Sequence, residues 1–376
     1  MSANIYLADM VDAFLPALQD GDRVTILLGA TTLLPWEPIE HPAVHYLVAH
    51  EEPGTRAATA ELTELLQDAQ PEIWWSADTT LPPPKLKQPF KLVYAVEDLQ
   101  VLFGNQKGGF WKRLREKRLA LQHLLKADAI ICPNKAVSTR LVHAIGIGAR
   151  HKTFVIPNGI PPVFRSHAPE EIVQMRRKLL IPQRYVLLNG SSSSADCLTP
   201  VLEALGASEE ISSITCVILG DAKLPNTLRE VIRDCHLEGM IRFLNVAKLE
   251  IAEIAALYSG ASILFEPSQT IAYFPSILRA MASGTPVVCA ASPANEDLYG
   301  QAVLRIHPTD AREWISAFTT LTLSTALRDR QIAKGFDLVN AYTSTTMAKA
   351  TFSFARLLCT LPASTIRKHH LAIRHD

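Results

Sequence analysis

The sequence lacks paired cysteines. Its six, Cys132, Cys197, Cys216, Cys235, Cys289 and Cys359, are scattered with no Cys-x-x-Cys spacing, so neither a zinc site nor a disulfide framework is supported and a reducing compartment is the default. It also lacks a charge excess: 37 Lys plus Arg balance 37 Asp plus Glu, which leaves no global field to gather nucleic acid or an anionic bilayer. Any such attraction must be local. No apolar run reaches the length of about 18 residues that a membrane span requires. The opening MSANIYLADMVDAF has no basic segment ahead of an apolar one, so no export signal is visible and a cytoplasmic protein is expected. Repeats and low-complexity tracts are missing too, apart from the four serines at 191–194.

What is present is material for large cores. The chain has 376 residues, 48% of them hydrophobic, a length that suggests two or three domains. Short β-branched runs at 23–29, 43–48, 72–76, 91–96, 129–133 and 153–157 alternate with helical periods near 57–69, 111–126 and 135–145. A second series follows at 185–190, 214–220, 241–245, 261–267, 285–290 and 302–306, and 310–358 is almost wholly helical in pattern. Alternation of this kind predicts α/β architecture with two doubly wound parallel sheets. The turn-rich PNGIPPVFRSHAP (157–169) marks the boundary. We therefore expect a first Rossmann-like domain over 1–160, a second over 161–340, and a C-terminal helix and tail over 341–376 that crosses back to the first. Ligands of such sheets sit beyond the carboxyl ends of the strands, so two facing domains would leave a cleft between two sets of loops.

Two stretches invite a functional reading. PSQTIAYFPSILRAMASGTPVV (267–288) is laid out as loop, helix, glycine stop and buried strand, yet contains no acid and one base, Arg279. KGGFWKRLREKRLALQHLLK (107–126) sets Lys107, Lys112, Arg113, Arg115, Lys117 and Arg118 against Glu116, with Phe110, Trp111, Leu114, Leu121 and Leu125 approximating one helical face. That pattern suits an anionic membrane or a polyprenyl-phosphate acceptor, with Trp111, Lys112, Arg113 and Arg115 as contacts. It equally suits a helix packed on its own sheet with a solvated charged flank. Leucines rather than exposed stacking aromatics accompany the charges, which together with the zero net charge excludes a nucleic-acid reader.

Several stretches carry a resemblance. VIPNGI (155–160), FLNVAKLEIAEIAALYSGASILFEPS (243–268), LRAMASGTPVVCAASPANEDLYGQAVLRIHPTD (278–310) and, more weakly, 94–103 and 127–142 are similar in order and spacing to the retaining GT-B glycosyltransferases of family 4. The resemblance implies a second domain that holds a nucleotide sugar and a first that holds the acceptor. It also implies transfer that keeps the anomeric configuration without a metal or other cofactor. A departing diphosphate must then be met by fixed cations and backbone N–H groups.

Measured against that family, the chemistry is rewritten. The two family glutamates align with Ile271 and Arg279, neither of which can accept a hydrogen bond. The glycines between them align with Ala272 and Phe274, and Pro275 removes an N–H. After the first strand of the second domain the family's arginine and lysine give way to NGSSSSADCLTP (189–200), whose turn is either an anion nest or an ordinary polar cap. Where relatives carry a histidine before an aspartate, this chain has Glu97 and Asp98. The strand and glycine loop that open the family's first domain have no counterpart, so a first domain truncated at its N-terminus, or a start that is not the native one, is expected.

Positions that match the scaffold give a donor-binding set of Gly190, Ser191, Ser192, Asp221, Asn245, Val246 and Ser268, with Arg279 added as a rebuilt phosphate contact. Glu97, Asp98 and Glu266 are the candidate catalytic acids, Glu266 being an unusual carboxylate at a strand end. Two functions follow from the resemblance. One is nucleotide-sugar-dependent transfer to a glycan or lipid-linked acceptor. The other is a catalytically inactive scaffold that binds a nucleotide, a protein partner or a second copy of itself, in either case cytoplasmic or peripheral at a membrane.

Overall fold

The structure is a computed structural model and describes residues 13–29, 40–50, 56–97, 99–103, 109–190, 195–207, 214–220, 224–268 and 275–361. Among these the chain forms two compact units, one of residues 13–159 and 344–361, the other of residues 160–268 and 275–343.

In the first unit β1 (Val24–Gly29) and β2 (Val44–Ala49) pair in parallel, Val24 opposite Val44. Strands β3 (Ile73–Ser76), β4 (Lys91–Ala95), β5 (Ala129–Cys132) and β6 (Thr153–Val155) form a second parallel sheet in that spatial order. Parallel pairing needs crossovers. Helices α1 (Arg56–Leu65), α2 (Gln100–Phe103), α3 (Phe110–Lys126) and α4 (Lys135–Ile145) lie between the strands in sequence. Side chains alternate between the two faces of a strand. Leu92, Tyr94, Ile130 and Cys132 pack with Leu62, Leu124 and Leu141 of the helices. Val93, Ala95 and Ile131 turn the other way, onto Phe154 and onto Phe354 and Leu358 of the C-terminal helix Ser344–Thr360. Burial on both faces explains why these strands read as continuous apolar runs. Arg356 of the C-terminal helix donates to Asp22 and to the Ala17 carbonyl, holding the Asp22 carboxyl below its usual range.

The end of α3 is held by one side chain. The last carbonyls of a helix have no partner within it. Lys152, buried, donates from Nζ to the carbonyls of Leu124 (3.0 Å), Leu125 (2.7 Å) and Ala127 (3.0 Å). Its positive charge therefore sits where the helix dipole is negative.

The second unit carries six parallel strands, β7 (Tyr185–Asn189), β8 (Thr215–Gly220), β9 (Ile241–Asn245), β10 (Leu264–Glu266), β11 (Val287–Ala290) and β12 (Leu304–Ile306). Their spatial order is β12-β11-β10-β7-β8-β9. Counted within the unit this is 3-2-1-4-5-6 read from the β9 edge, the Rossmann order, with the reversal between β7 and β10. The helices are α5 (Pro169–Leu179), α6 (Ala195–Ala207), α7 (Asn226–Asp234), α8 (Ile251–Gly260), α9 (Pro275–Ala282), α10 (Pro293–Tyr299), α11 (Ala311–Leu323) and α12 (Thr325–Val339). Val186, Leu188, Cys216, Ile218, Phe265 and Val288 build the core with Leu198, Leu202, Trp314 and Phe318. The glycine stop read from the sequence is real: Gly284 adopts φ +75, a conformation that L side chains rarely adopt, and Thr285 N–H returns to Ala280 O at 2.8 Å. Among the described residues no helix is long and apolar enough to cross a membrane.

Candidate functional site

The carboxyl edge of the second unit's sheet collects five of the residues singled out above, Gly190, Asn245, Val246, Glu266 and Ser268. Asn189 ends β7 and Glu266 ends β10; the pairing of Leu187 with Leu264 and Leu188 with Phe265 places these two ends side by side at the order reversal. In sheets of this class that reversal is where ligands bind. Ser276, in the first turn of α9, closes the group.

Glu266 is 0% exposed. Its Oε2 accepts from Asn189 Nδ2 at 2.6 Å and from Ser276 Oγ at 2.5 Å, and Asn189 Nδ2 also reaches Ser276 Oγ at 3.3 Å. Burial raises its titration from an ordinary 4.5 to about 7; the hydrogen bonds from Ser276, Asn189 and the Ser268 backbone pull the other way and only partly offset it. Among the described residues no cation contributes to holding the charge. Neighbouring Tyr258 and Cys289 stay neutral, their ionisation pushed up by burial, to about 12 for the thiol. This carboxyl changes charge near neutrality, inside the protein.

Gly190 follows Asn189, and a Cβ there would stand 3.0 Å from Ile218 Cγ2 and 3.1 Å from Leu219 O, so a larger residue would require these neighbours to shift by a few tenths of an ångström. Asn245 ends β9 and its Oδ1 accepts from Ala247 N–H at 3.0 Å, capping the short turn Val246–Lys248; both Asn245 and Val246 are half-buried. Ser268 is buried two residues beyond Glu266. The structure thus brings Gly190, Asn245, Val246, Glu266 and Ser268 to one edge of one sheet. Ser191, Ser192, Asp221 and Asp98 lie outside the described residues, as do Ile271, Ala272 and Phe274.

Arg279 is placed differently from the rest. Its guanidinium lies over the Phe164 ring at 4.8 Å, and that ring meets Tyr258 edge-on at 5.7 Å. Glu97 is half-buried just beyond β4, in the first unit. Trp111, Lys112 and Arg115 are exposed on α3, with Arg113 partly covered. Among the described residues no three His, Cys, Asp or Glu are grouped so as to hold a metal ion.

Sequence reasoning picked out Glu266 and missed both of its partners. Asn189 was visible only as part of a strand-end NG, and Ser276 as a small residue in an apolar helix. The usable signal was Glu266 itself, since a carboxyl inside an apolar strand requires donors on the adjoining strand or helix.

Comparison with known proteins bears on the fold. Residues 185–323 match the family model described as glycosyl transferases group 1. The chain is 26% identical over 219 residues to the D-inositol 3-phosphate glycosyltransferase of Corynebacterium aurimucosum, covering 54% of this chain and 51% of that one. The chain thus spans about half the length of that relative. Among solved structures, sucrose-phosphate synthase from Thermosynechococcus elongatus superposes with a TM-score of 0.72 at 16% identity, over 95% of this chain and 93% of that one. HepE of Anabaena, in complex with UDP-glucose, gives 0.68 at 17% identity over 96% of both. At those identities the superpositions establish the fold, which is GT-B with parallel-sheet Rossmann-like domains. With that fold and the family match over residues 185–323, the chain is similar to the glycosyl transferases of group 1.

Proposed function

We propose that the second unit binds a nucleotide sugar at the carboxyl edge around Asn189, Gly190, Asn245 and Ser268, and that the chain transfers the sugar to a glycan or lipid-linked acceptor. The observation that carries this reading is the Rossmann order of β7–β12, with the buried Asn189–Glu266–Ser276 group at its reversal point. The Anabaena neighbour was solved with UDP-glucose, which makes uridine donors the first to test. On this reading the transfer is of the retaining type and needs no metal. A lipid-linked acceptor would set the chain peripherally at a membrane.

The chemistry to be supplied is a counter-charge for the departing diphosphate. Arg279 is the cation of α9. Its guanidinium stacks on the Phe164 ring through one face, a cation–π contact of about 0.5–2 kcal/mol that leaves the N–H donors of its plane directed past the ring. A charge-assisted hydrogen bond to a phosphate would contribute about 1.5–3 kcal/mol once a nucleotide sugar is seated. Glu266 has a different role in this account. With no exposed surface it cannot touch a sugar, and it acts by tying the start of α9 to β7 and β10.

A second reading is favoured by the same burial. Ile271 and Arg279 stand where the resemblance places glutamates, and Glu266 is enclosed. A chain that binds donor without turning it over, as the partner of an active enzyme or of a second copy, fits those facts. Incubation with UDP-glucose and other UDP- and GDP-sugars, followed by detection of released nucleoside diphosphate with and without glycan acceptors, separates the two. Release supports transfer; binding without release supports the inactive scaffold.

A further inference from the structure

The face that α3 turns away from its own core is built like a lipid-binding surface. Ala120, His123 and Leu124 are the buried residues of this helix. At about 100° per residue, Trp111, Leu114, Arg118 and Leu125 all fall within about 60° of one another on the opposite side. The apolar members of that stripe are exposed: Trp111 by 78%, Leu125 by 58% and Leu114 by 48%. Phe110, exposed by 63%, meets Trp111 edge-on at 5.5 Å. The acid of the helix, Glu116, falls on the side of Ala120 and His123, away from the stripe, 3.9 Å from Lys112. Of the five apolar residues that approximate one face in the sequence, Leu121 lies against the core and the other four are exposed.

We propose that this face of α3 docks on an anionic lipid bilayer, Trp111, Phe110 and Leu114 entering the headgroup region while Arg115 and Arg118 meet lipid phosphates. Aromatic rings beside arginines, with an apolar stripe and no acid between them, match the boundary between acyl chains and anionic headgroups. A second copy of the same face fits poorly, because it would oppose arginine to arginine in a space that excludes water. The helix is also a rigid platform, its far end clamped by Lys152. This inference deepens the proposed placement at a membrane by naming the surface and the lipid charge. It fails or stands separately from the donor reading, since no nucleotide enters its test.

The test is flotation of the full chain with vesicles of phosphatidylcholine alone and of phosphatidylcholine with phosphatidylglycerol. The parent is expected to float with the anionic vesicles and stay behind with the neutral ones, and to be released by high salt. At about 1 kcal/mol for each basic residue near such a surface, R115S/R118S should lower the partition coefficient about thirtyfold. W111S/L114S should lower it as well, and because all four positions are solvent-facing both variants should keep the parent's unfolding transition. Failure of the parent to float with anionic vesicles would overturn the proposal. So would flotation of both variants at the parent's level, or capture by polyglutamate beads in preference to vesicles.

Discussion

Replacing Glu266 with Gln turns the buried carboxyl into a quantitative test of the site's architecture. Gln keeps an oxygen to accept from Asn189 and Ser276 but is neutral at every pH. The parent carboxyl titrates ordinarily at 4.5 and at about 7 once folded, because burial disfavours its charge. The folded state therefore binds this proton more tightly than the unfolded state does. Its contribution to stability is fully present below pH 4.5, declines as pH rises from 4.5 through about 7, and is gone above that. At about 1.4 kcal/mol per tenfold change, the loss is on the order of 3 kcal/mol. Full burial means no discount for solvent screening is needed. Other carboxyls titrate in the same range, so the quantity to follow is the difference between parent and Glu266→Gln. Scanning calorimetry from pH 5 to 8.5 should show the variant gaining on the parent by about 3 kcal/mol, or about 6–12 °C in the transition of a unit of this size. The gain should be confined to the transition of the second unit. Parallel stability curves across that range would refute the reasoning, because they would mean the carboxyl is either solvated or paired with a cation.

Two further expectations concern the first unit. Lys152→Met should destabilise it by about 2–4 kcal/mol, since three carbonyls at the end of α3 lose a charged donor and stay partly enclosed; guanidinium unfolding of the parent and variant measures this. Asp22 titrates below its ordinary 3.8 because Arg356 donates to it, so its stabilisation is present above that value and is lost as pH falls further. Asp22→Asn should therefore be less stable than the parent at pH 7, with the gap closing toward pH 2 in urea titrations.

Much of the fold is legible in the sequence because parallel strands buried on both faces leave unbroken apolar runs. Tyr185–Asn189 and Thr215–Gly220 are buried at every position, and both were readable as strands. Strand order was not readable, since no local pattern encodes which runs lie side by side, and the order is what puts Asn189 next to Glu266. For the same reason the partners of Glu266 escaped: a serine 10 residues away and an asparagine 77 residues away become neighbours only through the sheet. On α3 the sequence shows an amphipathic helix but does not say which face is the inner one. Small Ala120 and polar His123 are buried beside Leu124, His123 stacked on Tyr94 at 5.9 Å and bonded to Thr79 O, while Trp111 is outside. Hydrophobicity alone does not decide burial, because the sheet accepts what fits beneath it. Arg279 shows the limit for charge, its family-aligned position being clear and its contact with Phe164 invisible without coordinates.

The central claim is that the carboxyl edge of the second sheet still holds a nucleotide sugar. Titration calorimetry of the full chain with UDP-glucose, UDP, GDP-mannose and GDP measures it most directly. The account predicts saturable heat from at least one nucleotide, weakened tenfold or more in Arg279→Ala; absence of heat from all four would contradict it.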